Sequence, residues 1–319
     1  MIPPDTPPGP AEPCLIFAKR PRPYGGEQFA GLLAHAAGAL SLPFVRISSD
    51  EEARELLGRI ASRPGRGLLL DYMGDSFADR SSINAAFSRL GYTVIEAAEA
   101  VARWSDKWTL HQALAGQDLP LPFTMCWSPE LLDGAARPAW TQALGDAFVM
   151  KPRRGSAGRG VSLQVRLTSD ALLASLSRSG ESDPLLQREV IPIQMGRRVG
   201  WLRVYSAFDA VWPCFWDPGS HATAFDPAAL GTERLGAVRS LVANIRATTG
   251  YSVFSTEIAL TGESASDMVV IDAANHKPFM GSQTEVGARG VPDVVVQELA
   301  GQVATAAARG ERVACEGQG

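Results

Sequence analysis

Only four of the 30 basic residues in this 319-residue chain are lysines: Lys19, Lys107, Lys151 and Lys277. A sequence that uses arginine wherever either cation serves keeps lysine for positions that need a compact point charge rather than a planar fork. Lys19 reads instead as an accident of an exposed surface. Lys151 closes the apolar run AFVMK and is followed by Pro152 and by Gly155, Gly158 and Gly160, after which a second apolar run, Val161–Val165, begins. Proline forces the chain out of the first strand, and the glycines let the backbone turn without side-chain clashes. Successive N–H groups in such a loop can point at one anion, with Ser156 adding a hydroxyl and Lys151 a charge. The segment predicts a phosphate cradle between two strands, unlike the strand–loop–helix of GxxxxGK[ST], which is absent. The competing reading is an ordinary Gly/Ser hairpin with solvated arginines.

Further along stand Gln187 to Ile191, Arg203 in WLRVYSAF, Glu257 in VFSTEIAL, and Asp272 and Asn275 in MVVIDAANHKP. His221 and His276 lie where a substrate could sit, but a single histidine is more often structural, and neither is given a catalytic role. Trp201, Trp212 and Trp216 read as core or pocket wall, not as a stacking platform.

The elements that must position these residues alternate between strand and helix. Cys14–Ala18, Pro43–Ile47, Gly67–Tyr72 and Tyr92–Glu96 read as strands, with helices over Glu27–Leu40, from a cap at Asp50 to about Ala61, and over Ser81–Leu90. They predict a small open α/β layer, parallel in sense, with no GxGxxG to hold a dinucleotide. A helix follows over Trp104–Ala115. Trp140–Leu144 is helical, Ala147–Lys151 and Val161–Val165 flank the glycine loop, a helix is expected near Ser169–Arg178, and Leu185–Ile191 is extended. Longer strands then come at Val199–Phe208, Ala210–Phe215, Ser252–Leu260 and Met268–Ile271. Helices near Ala228–Thr248 and Val291–Ala308 complete a mixed or antiparallel sheet.

The ordered set, with Lys107 in an Asp-Lys pair and Lys151 in a strand ending Lys-Pro, resembles the ATP-grasp superfamily from about residue 93 to 308. The resemblance implies an α/β (α+β) ATP-grasp fold preceded by a small open α/β pre-ATP-grasp domain. The expected division is a disordered leader over 1–13, the N-terminal domain over 14–100, the ATP-grasp domain over 101–309 and a tail over 310–319. Within the ATP-grasp domain a nucleotide lid would span about 101–190 and a metal and substrate part about 191–309.

By the same resemblance Lys107 and Lys151 clamp the nucleotide phosphates, and Gly155, Ser156, Ala157, Gly158 and Gly160 form the covering flap. Gln187, Glu189 and Val190 would receive adenine. Arg203 and Lys151 would face the reacting phosphoryl group. Phosphoryl transfer from ATP needs Mg2+, which takes hard oxygen ligands; Glu257, Asp272 and Asn275 could supply them. The bland readings are a solvated strand residue for Glu257 and a strand-ending turn residue for Asp272. The family places its acid and asparagine as E-x-N with proline three residues on. Asn275 and Pro278 keep the second spacing, whereas Asp272 stands three residues before Asn275.

The implied activity is an ATP-dependent ligase that converts a carboxylate to an acyl-phosphate and couples it to an amine-type nucleophile, releasing ADP and phosphate. A small-molecule kinase on the same fold and a non-catalytic nucleotide-binding protein are the alternatives. The expected partners are small-molecule carboxylate and amine substrates, with a homodimer among the oligomeric states such enzymes adopt. Hydrophobic residues make up 45% of the chain and charged ones 20%, the mix of a globular protein. A net charge of −4 argues against nucleic acid or an anionic membrane as partner. The four cysteines form no CxxC pair, and MIPPDTPPGPAEP has neither a basic start nor an apolar core, so a cytoplasmic protein without disulfides or zinc is expected.

Overall fold

The computed structural model describes residues 13–20, 26–61, 65–73, 77–129, 137–155, 158–166, 172, 174–177 and 183–310. Most of the expected leader, the tail beyond Gly310, Ser156 and Ala157 of the flap, and half of the helix expected near 169–178 lie outside the described residues. In chain order the first half runs β1 (Pro13–Ala18), α1 (Glu27–Ala39), β2 (Phe44–Ile47), α2 (Asp50–Ile60), β3 (Arg66–Asp71), α3 (Phe77–Arg89), β4 (Tyr92–Ile95), α4 (Ala98–Trp104), α5 (Lys107–Ala115), β5 (Thr124–Cys126), α6 (Arg137–Leu144), β6 (Phe148–Lys151), β7 (Ser162–Val165) and β8 (Leu185–Arg188). It continues through β9 (Gln194–Met195), β10 (Arg198–Val199), β11 (Trp201–Ala207), β12 (Ala210–Trp216), β13 (Thr223–Phe225), α7 (Pro227–Thr249), β14 (Val253–Leu260), β15 (Met268–Asn275), α8 (Gln283–Val286) and α9 (Asp293–Arg309).

By compactness the chain divides into two units: Met1–Val101 with Arg203–Ser255 and His276–Gly319, and Ala102–Leu202 with Thr256–Asn275. The first holds a parallel sheet in the order β2-β1-β3-β4. Its central strands are apolar on both faces because helices cover both. Leu15, Phe17, Leu68 and Leu70 pack in one buried cluster with α1 and α9, and Cys14, Ile16, Ala18 and Leu69 in another with α2 and α3. The same unit carries β13, β12, β11 and the first residues of β14 as successive neighbours.

Two readings are corrected here. The cap of α2 is Ser49, whose hydroxyl accepts from the N–H of Glu52 at 3.1 Å, and Asp50 is the first helical residue. Lys19 is not a surface accident: it is buried, and a Cβ added at Gly26 would fall 2.1 Å from its Nζ. Gly26 also sits at φ 98°, so glycine there serves both the turn and the packed ammonium.

The second unit contains an antiparallel sheet in the order β5-β8-β6-β7. Trp127, Trp140, Leu144, Phe148, Met150 and Leu186 form its core. It also holds the β9–β10 hairpin, and β14 from Thr256 onward beside β15. Among the described residues no helix is long and apolar enough to cross a membrane, and Cys14, Cys126 and Cys214 are free thiols.

Candidate functional site

In the second unit, Lys107 opens α5. The preceding Asp106 is its N-cap, accepting from the N–H groups of Trp108 at 2.9 Å and Thr109 at 3.1 Å. That carboxylate also takes Arg153 at 2.6 Å, and Arg153 reaches on to Asp183. The backbone N–H of Lys107 donates to the Arg153 carbonyl at 2.9 Å. Burial pushes the Asp106 carboxyl up, but the Arg153 guanidinium and the two N–H donors outweigh it and hold the group below the usual carboxylate range. The start of α5 and the loop after β6 are thus tied by one charged junction.

The side chain of Lys107 completes that tie, with Nζ donating to the carbonyl of Gly155 at 2.5 Å. Gly155, Gly158 and Gly160 have φ of 119°, 67° and 74°, left-handed values that only glycine adopts without strain. A Cβ on Gly155 or Gly158 would meet nothing within 4 Å. Among the described residues, then, it is backbone conformation and not crowding that requires glycine at Gly155 and Gly158. β6 and β7 flank it as an antiparallel pair with an irregular register.

Lys151 is buried at the end of β6, and its ammonium donates to the Ile271 carbonyl on β15 at 3.2 Å. Burial lowers its pKa. Asp272 opposes that shift, Lys107 adds to it, and Glu257 opposes it again. Both carboxylates and both lysines expected at the site therefore share one electrostatic neighbourhood within this unit. Glu257 is the one position of β14 that is not buried, and Asp272 and Asn275 lie on β15, which runs unbroken to Asn275. The Thr256 hydroxyl donates to the Asp272 carbonyl at 3.0 Å, fastening the two strands beside the acids.

Gln187 is buried in β8, where its amide donates to the Thr124 hydroxyl at 3.1 Å and braces β8 against β5. Glu189 and Val190, just past the strand, are half-buried, and Glu189 accepts from Gln164. Arg203 belongs to the first unit, where its Cζ lies 4.2 Å from the centroid of the Trp216 ring. Trp216 is therefore a stacking surface after all, for a cation within the chain. Ser156 and Ala157 lie outside the described residues.

One residue at this site escaped the sequence reading. His111 follows Lys107 by one helical turn, which puts it on the same face of α5. Its ring stacks on Trp108 at 5.7 Å and 10°. Burial and the nearby Lys151 charge push it down to about 4, so the imidazole is neutral at neutral pH. The available signal was the i, i+4 spacing from Lys107.

Among the described residues no cluster of three or more His, Cys, Asp or Glu side chains could hold a metal unaided. The donors present are two carboxylates and an amide, all hard oxygen. Mg2+ needs only one or two carboxylates when phosphate oxygens and water complete its shell. The set fits a cation that arrives with a triphosphate, not one caged by protein.

Neither a family model nor a curated protein sequence matches the chain. Among solved structures it is similar to a RimK domain protein ATP-grasp from Sphaerobacter thermophilus DSM 20745, at 21% identity over 92% of this chain and 98% of that one, TM-score 0.59. It is similar to the D-alanine–D-alanine ligase of Bacillus anthracis complexed with ATP, at 12% identity over 93% and 97%, TM-score 0.62. A third is the ATP-grasp ligase PsnB complexed with minimal precursor, Mg and ADP, at 14% identity over 91% and 97%, TM-score 0.59. At these identities the likeness is one of fold.

Proposed function

The chain has the ATP-grasp fold, and from that premise we propose that it is an ATP-dependent ligase joining a carboxylate to an amine-type nucleophile. The observation that carries the reading is that Lys107 engages the glycine loop through the Gly155 carbonyl, while Lys151, on β6 just before that loop and tied to β15 at Ile271, shares its electrostatic surroundings with Lys107, Glu257 and Asp272. In such a set the two cations can take phosphate oxygens and the carboxylates the metal that accompanies them.

In this reading Lys107 and Lys151 bind phosphate oxygens and the flap from Gly155 to Gly160 closes over them. Gln187 holds the strand whose following residues, Glu189 and Val190, meet the adenine. Glu257 would hold Mg2+ together with Asp272 or Asn275, which stand three apart on β15 and so on opposite faces of the strand, and the ion would neutralise phosphate charge. A substrate carboxylate oxygen attacks the γ-phosphorus, the bond to the β,γ-bridging oxygen breaks, and ADP leaves. Arg203 binds the equatorial oxygens of the moving phosphoryl group, a task for a fork that stays charged throughout. An amine then attacks the acyl carbon of the acyl-phosphate, the C–O bond to phosphate breaks, and the amine gives up its proton as phosphate departs. No protein nucleophile is needed, because orientation and electrostatics lower the barrier.

Lys107→Met and Lys151→Met test this. Each should raise the dissociation constant for ATP at least tenfold and abolish ADP release in a screen of carboxylic acids with and without amines, at unchanged circular dichroism. Full turnover in both variants defeats the assignment. An acid- and hydroxylamine-stable phosphate ester as product would replace the ligase with a kinase.

A further inference from the structure

We infer that Trp216 is a positioning residue for Arg203: the indole face fixes the guanidinium in the orientation in which it meets the phosphoryl group, an inference that rests on the function proposed above. Arg203 projects from β11, and Trp216 is the last residue of β12. The 4.2 Å between Cζ and the ring centroid lies well inside the range of a cation–π contact. Cys214, two residues earlier and so on the same face of β12, also feels the Arg203 charge, although burial is the larger influence on its thiol. The guanidinium therefore lies along that face. An arginine free to sample its rotamers loses entropy when it engages an anion, and one already stacked has lost most of it beforehand.

The indole is itself held. β12 pairs antiparallel with β13, and Trp216 stands opposite Thr223 at the last paired position before the connection 217–222. That connection is knotted on Asp217, whose Oδ1 accepts from the N–H groups of Gly219 at 2.9 Å and Ser220 at 2.7 Å and from the Ser220 hydroxyl at 3.0 Å. The N–H of His221 donates to the Asp217 carbonyl at 2.7 Å, and that of Asp217 to the Ala222 carbonyl at 3.0 Å. His221 is held at φ 61°, with its ring 5.8 Å from the Trp216 ring at 40°. A backbone conformation uncommon for a residue with a side chain is thus kept where it sets an aromatic ring against Trp216.

The test compares Trp216→Leu, which keeps bulk without a π face, with Trp216→Phe, which keeps a weaker face. Trp216→Leu should lower kcat between about two- and thirtyfold, the factor given by a contact of about 0.5–2 kcal/mol at 1.36 kcal/mol per decade. The dissociation constant for ATP should stay within about twofold, and Trp216→Phe should recover much of the loss. A second readout is independent of turnover. The 15Nε–H resonance of Arg203, assigned by its disappearance in Arg203→Lys, should be displaced by the ring current in the parent protein and return to the position of a free arginine in Trp216→Leu. An unmoved resonance, or full kcat in Trp216→Leu where Arg203→Ala is inactive, overturns the inference alone. Full turnover in Arg203→Ala would instead overturn the role given to Arg203 in the proposed reaction, and the inference with it.

Discussion

Replacing Glu96 by glutamine should change how the stability of this protein depends on pH. Glu96 follows β4 and is 5% exposed. Its carboxyl accepts from the N–H of Ser252 at 3.0 and 2.9 Å and from that of Val253 at 2.6 Å, at the entry to β14. Burial raises its pKa from 4.5 to about 8, against the opposing pull of those N–H groups and of Arg246. Between these two values the folded protein keeps a proton that the unfolded chain has released, so stability falls as pH rises. The contribution is complete below about 4.5 and is lost as pH passes about 8. At 1.36 kcal/mol per unit, the interval from pH 5.5 to 7.5 should cost about 3 kcal/mol. Glutamine keeps one acceptor oxygen for the N–H groups and does not titrate. Urea unfolding of both proteins at pH 5.5, 6.5 and 7.5 should show the parent losing stability relative to Glu96→Gln by about that amount across the series. Parallel curves would mean that the N–H donors hold Glu96 ionised in the fold, and the argument from burial would fail.

Asp106→Ala removes the cap of α5 and one partner of Arg153, so it should destabilise by about 1–3 kcal/mol in urea and weaken ATP binding; Asp106→Asn, which keeps an acceptor for the N–H groups, should recover part of both, and equal behaviour of the two variants would deny the cap its role. Glu257→Gln should shift the Mg2+ titration of ADP release to higher metal concentration by about tenfold or more, and an unchanged titration would remove Glu257 from the ligand set.

The parallel layer was legible because its strands are short unbroken apolar runs and its helices carry regular apolar spacing. The strands of Cys14–Ala18 and Tyr92–Glu96 lie within a residue of β1 and β4. Met268–Ile271 fell short of β15, which runs four residues further. Its second half, from Asp272 to Asn275, is polar or small, and an apolar-run criterion stops where the chemistry starts. The helix expected over Ala228–Thr248 is α7, but Gly231 within it has φ 75°, a break that helical periodicity does not register.

The site was legible where a backbone demand leaves a residue signature, and illegible where a partner decides. Glycine at Gly155, Gly158 and Gly160 is dictated by positive φ, so spacing alone revealed the loop. Arg153 in that loop was given no role, because nothing local marks it as the partner of Asp106 and Asp183. Trp216 read as wall because its cation comes from another strand. The same reasoning explains why Lys107 could be selected but its state could not. Its scarcity in an arginine-rich chain marked a point charge, yet only the fold shows that charge already engaged on a carbonyl of the loop it serves. Among the described residues the Lys107 ammonium donates to Gly155, and an ammonium has three N–H groups, so the proposed reading gives the others to phosphate oxygens. In the proposed reaction the lysine would hold loop and nucleotide together, a use suited to a point charge with three rotatable donors.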